Sequence, residues 1–119
     1  MTDQELLERA ARAAGLEIEL YTGDGPFNGK LRRRVIPEPP EPGSKWRVWN
    51  PLEDEGDAFR LMCSLGMNVD VSDDVCSVTG WYGAAADEPI DKAGRSVATC
   101  RAIVRVAAIM AEDACKSPD

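Results

Sequence analysis

The 119-residue sequence contains no histidine. Histidine is the commonest acid–base catalyst near neutral pH and the commonest metal-binding side chain, so its absence excludes most hydrolase and metalloenzyme schemes. The four cysteines form no Cys-x-x-Cys pair, and three of them have apolar neighbours, where free thiols pack as small hydrophobic side chains. We interpret the cysteines as reduced, structural residues. They are Cys63, Cys76, Cys100 and Cys115.

Long apolar segments are missing as well. No run approaches the roughly eighteen apolar residues that a membrane-spanning helix requires. The chain starts with polar residues from Thr2 to Glu5 instead of the basic and apolar regions of a secretory signal. These features predict a cytoplasmic protein with no membrane partner.

Basic residues are in the minority, with 14 lysines and arginines against 21 aspartates and glutamates. The net charge of −7 repels phosphate backbones and anionic lipids. We therefore expect no direct nucleic-acid binding, and a basic protein surface is the better partner. The composition, 44% hydrophobic and 29% charged, is typical of a folded protein, and the length fits a single domain over residues 1–119.

The first part of the chain predicts a helix, a strand and a long loop. A Thr-x-x-Glu capping box starts a helix over about 3–14, which Gly15 ends. The alternation of apolar and polar residues over 16–20 indicates a strand with one buried face. Prolines and glycines then interrupt residues 23–44, which we interpret as a loop or insertion with a short strand at 31–36.

The second part predicts a denser series of elements. Alternation indicates strands, and apolar stripes at helical spacing indicate helices. We expect a strand over 45–49, a helix over 53–65, a hairpin of strands 67–71 and 75–82, a loop over 83–90, and a helix over 91–115. This order is typical of an α+β domain with a mainly antiparallel sheet.

The segment from Trp49 to Leu61 carries a recognisable motif: Trp-Asn-Pro-Leu, an acidic run, and Gly-Asp-Ala-x-Arg-Leu, followed by Leu-Gly and a hairpin. An Ala-Gly-x-x-Ile sequence at 14–18 and the segment 101–105 extend the match. Together these residues resemble the phage ABA sandwich domain family of small phage and prophage proteins. The resemblance covers most of the chain apart from 23–44.

The resemblance implies an α/β/α sandwich, here with three helices and a sheet of about four strands. It also implies a phage or prophage origin and a location in the cytoplasm of a bacterial host. It implies no activity, because the family has no established catalytic motif to transfer to these positions.

Charged clusters are the candidate functional residues. The acidic clusters fit no EF-hand calcium loop, and a helix cap and a turn explain them, so we predict no metal, cofactor or catalytic residue. The arginine run at 32–34 is the densest basic patch; it fits solvated charge on a loop or edge strand, and we retain it as a contact site. The candidate interaction surface comprises Glu53, Asp54, Glu55, Asp57, Asp73, Asp74, Asp87, Glu88, Arg32, Arg33 and Arg34.

We predict a non-enzymatic phage or prophage accessory protein that acts by protein–protein interaction, as an acidic inhibitor of a host defence protein. In its sharpest form, such a protein occupies a nucleic-acid channel as a DNA mimic. Two alternatives stay open. One is a small carboxylate-site enzyme or ligand-binding domain near the hairpin and the long loop. The other is a virion or assembly protein that forms homo-oligomers through exposed aromatic residues such as Phe27.

Overall fold

The structure is a computed structural model that describes residues 2–22, 29–35 and 45–116. These residues form three α-helices, six β-strands and one short 3₁₀ turn, which confirms the α+β class. The elements follow one another as α1 (Asp3–Ala14), β1 (Ile18–Leu20), β2 (Leu31–Val35), β3 (Lys45–Val48), α2 (Glu55–Leu65), β4 (Asn68–Val71), β5 (Val75–Thr79), the 3₁₀ turn (Trp81–Gly83), β6 (Ala85–Pro89) and α3 (Arg95–Lys116).

The strands form two antiparallel sheets of three strands each, in the orders β1-β2-β3 and β4-β5-β6. Leu20 lies opposite Leu31 in the first sheet. Val71, Cys76 and Glu88 form one cross-strand row in the second. The mainly antiparallel pairing agrees with the sequence-based expectation, whereas the described strands number six in two sheets instead of about four in one.

Capping explains the ends of α1. Thr2 Oγ1 accepts a hydrogen bond from the backbone N–H of Glu5 at 3.2 Å. Gly15 ends α1 with a φ of 70°, in the left-handed region that glycine adopts without a steric penalty. The helix therefore has the predicted bounds.

The core lies around α3, which packs against α1, α2 and the sheet β4-β5-β6. Gly80 approaches α3 so closely that a Cβ atom on it would lie 2.6 Å from Met110 Sδ. Val97, near the start of α3, is 38% exposed. The buried side chains of α3 are small or medium-sized: Ala98, Cys100, Ala102, Ile103, Val104, Val106, Ala107, Ala108, Met110 and Ala111.

The segment from β5 to β6 differs from the prediction. Strand β5 ends at Thr79, and the chain then makes the 3₁₀ turn, so the predicted strand over 75–82 is too long. The predicted loop over 83–90 contains β6. Alanine and proline have low strand propensity, but pairing with β5 and the burial of Ala86 and Glu88 create the strand.

The start of α3 also differs, at Arg95 instead of residue 91. Asp91 Oδ1 accepts a hydrogen bond from the Ala93 N–H at 2.8 Å, which stabilises a separate turn. Gly94 follows with a φ of 100°, a conformation that no α-helix contains. Asp91 therefore belongs to this turn and not to α3.

Most of the predicted loop over 23–44, including Phe27, lies outside the described residues. Its described part contains β2, close to the strand expected at 31–36, and β2 is the middle strand of its sheet. The side chains of Arg33, Arg34 and Cys115 also lie outside the described part.

Candidate interaction groove

The acidic segment before α2 is organised around the carboxylate of Asp57. Asp57 Oδ2 accepts the backbone N–H of Asn50 at 3.0 Å, and Asp57 Oδ1 accepts a hydrogen bond from Arg60 at 2.7 Å. Asp54 caps the helix by accepting the Asp57 N–H at 3.0 Å, so α2 starts at Glu55, later than predicted. Because Asp57 is only 7% exposed, this member of the predicted surface has an internal structural role.

Three neighbouring recesses lie beside this segment. The central recess, about 400 Å³, is lined by residues from the N-terminal parts of α1, α2 and α3. It shares Leu7, Asn50 and Glu53 with a strand-side recess of about 300 Å³. It shares Glu55 and Cys100 with a helix-side recess of about 270 Å³ between α2 and α3. The recesses are adjacent and share lining residues, and we call the three together the groove.

The groove collects exposed apolar side chains from distant parts of the sequence. Six large hydrophobic residues are exposed among the described residues, and five of them line the groove. The sixth, Trp81, lies near Gly66 at the C-terminal end of α2. The five groove residues are Leu20, Val48, Phe59, Val71 and Val97.

Carboxylates dominate the charge at the centre of the groove. Asp3, Glu53 and Glu55 line the central recess with Arg101, which gives three acidic groups against one basic group. All four residues are exposed, as is the cap residue Asp54 beside them. The acidic residues predicted before α2 are therefore accessible here, apart from the buried Asp57, and Asp3 adds a carboxylate from α1.

A buried thiol forms part of the floor between the central and helix-side recesses. Cys100 is 4% exposed, and burial, followed by the negative charges of Glu55 and Asp54, raises the pKa of its thiol. A raised pKa reduces the fraction of thiolate, which is the nucleophilic form. Cys100 is thus suited to packing, as the sequence predicted. Cys76 is buried as well, whereas Cys63 is exposed, contrary to the expectation from its neighbours.

The turn between β4 and β5 reaches the edge of the groove through Arg95. Arg95 lines the helix-side recess with Val71, and its Nη2 atom lies 3.2 Å from Asp73 Oδ1. The neighbouring Asp74 accepts a hydrogen bond from the Ser72 hydroxyl at 3.2 Å. Of the two predicted turn residues, Asp73 therefore borders the groove, and Asp74 stabilises the turn.

The two predicted acidic residues on β6 are separated by the pleat of the strand. Asp87 is exposed and lies in register with Ser77. Glu88 is 9% exposed and forms an ion pair with Arg105 of α3. Successive residues of a strand face opposite sides of the sheet, so only Asp87 of this pair is available on the surface.

The arginine run lies on β2, and Arg32 is not among the residues that line the three recesses. Arg32 donates a hydrogen bond through Nε to Glu19 at 2.7 Å, and its guanidinium lies 4.9 Å from the centre of the Tyr21 ring. Arg33 and Arg34 occupy ladder positions opposite Arg47 and Trp46. The contacts of Arg32 with Glu19 and Tyr21 stabilise the sheet to which Arg32 belongs.

The described residues contain no group of three His, Cys, Asp or Glu side chains that could hold a metal ion. The carboxylates of the groove are exposed, whereas catalytic carboxylates usually depend on burial or on a close charged partner to adjust their pKa.

Sequence reasoning identified the acidic residues before α2 but not the groove. Leu20, Val48 and Val97 come from three separate elements, and each fitted a pattern of strand or helix burial. The sequence partly indicated that Phe59 is exposed, because this residue lies beside the apolar stripe of α2 and not within it. The convergence of these residues depends on tertiary packing, which local spacing does not encode.

No family model, curated protein or solved structure matches the chain. Among the helices in the described part of the chain, none has the length and apolar character needed to cross a membrane.

Proposed function

We propose that this chain is a non-enzymatic accessory protein of a phage or prophage that acts by binding a basic surface on another protein. In the form predicted from the sequence, the partner is a host defence protein that the chain inhibits. The proposed origin, the α/β/α sandwich arrangement and the bacterial cytoplasm as the site of action derive from the family resemblance. The binding role has its own support in the groove.

The observation that carries the proposal is the coincidence of apolar and acidic side chains in the groove. Phe59 is 60% exposed and Val71 is 42% exposed, and they line the same recess as Glu55. Contiguous exposed apolar side chains with a polar rim are typical of protein interaction sites. The sixth exposed residue, Trp81, does not line any of the three recesses.

The charge of the chain indicates what kind of partner fits. The net charge of −7 and the acidic centre of the groove attract a basic surface, and complementary charge accelerates association. Attraction of this kind weakens with salt, because counterions screen exposed charges over about 8–10 Å at physiological ionic strength. A partner bound in this way is therefore released by salt.

Affinity capture from a bacterial host lysate tests the proposal. The wild-type chain is immobilised beside Glu53→Lys, and bound proteins are compared at low and high salt. We expect one partner that the wild type retains, that salt releases and that Glu53→Lys retains poorly. Failure to capture a partner, or capture that is equally strong at high salt, would contradict the proposed function.

A matched control keeps the net charge of the variant constant. Asp87→Lys makes the same charge change on the exposed face of β6, outside the groove. We expect Asp87→Lys to retain the partner nearly as well as the wild type. Equal loss in both variants would show that total charge, and not the groove, determines binding.

A further inference from the structure

We propose that the groove binds a cationic peptide segment of its partner that inserts an apolar side chain into the helix-side recess. This inference rests on the proposed function, and it names the site and the chemistry of the partner. It is carried by the geometry of the groove, by the position of its exposed apolar residues and by the charge at its centre.

The helix-side recess is the place for the apolar side chain. Phe59, Met62, Val71 and Ile103 contribute its apolar walls, and they come from α2, β4 and α3. Its volume of about 270 Å³ is close to the lower end of the range for small ligand pockets. Phe59 has the largest exposed fraction of the large hydrophobic residues described, 60%, so a side chain that covers it removes apolar surface from water.

The central recess is the place for basic side chains. Its three carboxylates outnumber its one guanidinium. The central and helix-side recesses share Cys100, whose thiol is uncharged because burial raises its pKa. A lysine or arginine near Glu53 and Glu55 therefore meets net negative charge. An acidic or phosphate-bearing ligand would meet repulsion at the same position.

The order of the recesses sets the pattern of the bound segment. The central recess adjoins the helix-side recess through Glu55 and Cys100, and the strand-side recess through Leu7 and Glu53. The strand-side recess presents Leu20 and Val48, both exposed. A segment that follows the groove thus meets apolar surroundings beside Arg95, then the acidic central recess, and then partly apolar surroundings beside Lys30. This order fits basic residues at the centre of the segment and apolar, uncharged residues on both sides of them.

A second copy of the chain fits the groove less well. A symmetric dimer places the same patch of both subunits face to face. Such a dimer through the groove would bring Asp3, Glu53 and Glu55 of the two copies together, and like charges in an interface are unfavourable. The charge therefore favours a basic partner over self-association.

The test uses two synthetic peptides of about fifteen residues, long enough to form an amphipathic helix. Both have the same leucines; the polar positions are lysine in the first and glutamate in the second. Fluorescence anisotropy measures the binding of each labelled peptide to the full chain. We expect the lysine peptide to bind and the glutamate peptide to bind at least about tenfold more weakly.

Two pairs of variants locate the site. Phe59→Ser in the groove is paired with Trp81→Ser outside it, since both side chains are exposed aromatics. Glu53→Lys in the groove is paired with Asp87→Lys outside it. Each groove variant should weaken binding of the lysine peptide by about tenfold or more, and each control should change it less than about threefold. Circular dichroism verifies that all four variants are folded.

Several results would overturn the inference. One is equal loss of peptide binding in the groove variants and in their controls, which indicates general charge attraction. Another is a wild-type dimer in sedimentation that Phe59→Ser dissociates, which makes a second copy the occupant.

The capture experiment separates this inference from the proposed function. If a salt-sensitive partner is retained equally by Phe59→Ser and Trp81→Ser, the groove inference is wrong while the binding function stands. If the peptide binds the groove as expected but no host partner is captured, the function is wrong while the chemistry of the groove stands.

Discussion

Replacement of Asp57 by alanine tests how the segment beside the groove is held together. In Asp57→Ala, the backbone N–H of Asn50 loses its acceptor at 3.0 Å, and a partly buried donor without a partner costs about 1–3 kcal/mol. The ion pair with Arg60 adds little, about 0.5 kcal/mol, because the Arg60 side chain is 61% exposed. Loss of negative charge in the first turn of α2 adds about 0.5 kcal/mol.

The expected result for Asp57→Ala is a free energy of unfolding lower by about 2–4 kcal/mol. For a domain of this length, that corresponds to a decrease in Tm of roughly 10 °C. Urea denaturation followed by circular dichroism and tryptophan fluorescence gives the free energy, and coincidence of the two signals verifies two-state unfolding.

Two controls make the reasoning refutable. Asp70 is an exposed aspartate of β4, so Asp70→Ala should change the free energy of unfolding by less than about 0.5 kcal/mol. Arg60→Ala removes the ion pair but leaves the Asn50 hydrogen bond, and we expect a similarly small change. The argument fails if Asp57→Ala costs no more than Asp70→Ala, or if Arg60→Ala costs as much as Asp57→Ala.

Three further outcomes follow from the packing and from the thiols. Gly80→Ala places a methyl group 2.6 Å from Met110 Sδ and 2.9 Å from Val106 Cγ1, so the free energy of unfolding should fall by about 1–3 kcal/mol in urea denaturation; an unchanged value would show that these two side chains shift at little cost. In a Cys115→Ser background, the exposed Cys63 should react with an aromatic disulfide reagent in the native protein, while Cys100 reacts only after unfolding; rapid reaction of Cys100 would contradict its burial. Burial raises the pKa of Cys100 above its ordinary value of 9.0, so the thiol of the folded state keeps its proton to a higher pH than the thiol of the unfolded state. The free energy of unfolding therefore decreases as the pH rises above 9.0 and through the folded pKa. Urea denaturation across that pH range should show a smaller decrease in Cys100→Ala.

The sequence was most informative where one residue decides the local conformation. Thr2 and Gly15 set the two ends of α1, and each acts through its own cap or dihedral angle. The sequence was least informative for β6, where alanines and a proline form a strand because β5 pairs with it and α3 packs against it. Such a strand depends on tertiary pairing, and β propensity is strongly context-dependent.

The same distinction applies to the candidate site. The acidic run before α2 is visible in the sequence, but its members have different roles: Glu53 is exposed, Asp54 caps the helix and Asp57 is buried. Identical side-chain chemistry in adjacent positions gave no means of separating them. Helical geometry turns Asp57 inward towards the N–H of Asn50, and only the three-dimensional structure contains that contact.

The arrangement of the two sheets has a consequence for how the molecule opens. Strand β5 is paired on both sides and is covered by α3, whereas β1, β2 and β3 make their main contacts with one another. Buried Leu31 and Trp49, which are joined by a backbone hydrogen bond of 2.9 Å, connect the β1-β2-β3 sheet to the core. Local opening requires less free energy where fewer buried contacts are broken. For the described residues, we therefore expect two levels of cooperativity, in which the β1-β2-β3 sheet opens before the unit formed by α3 and the β4-β5-β6 sheet.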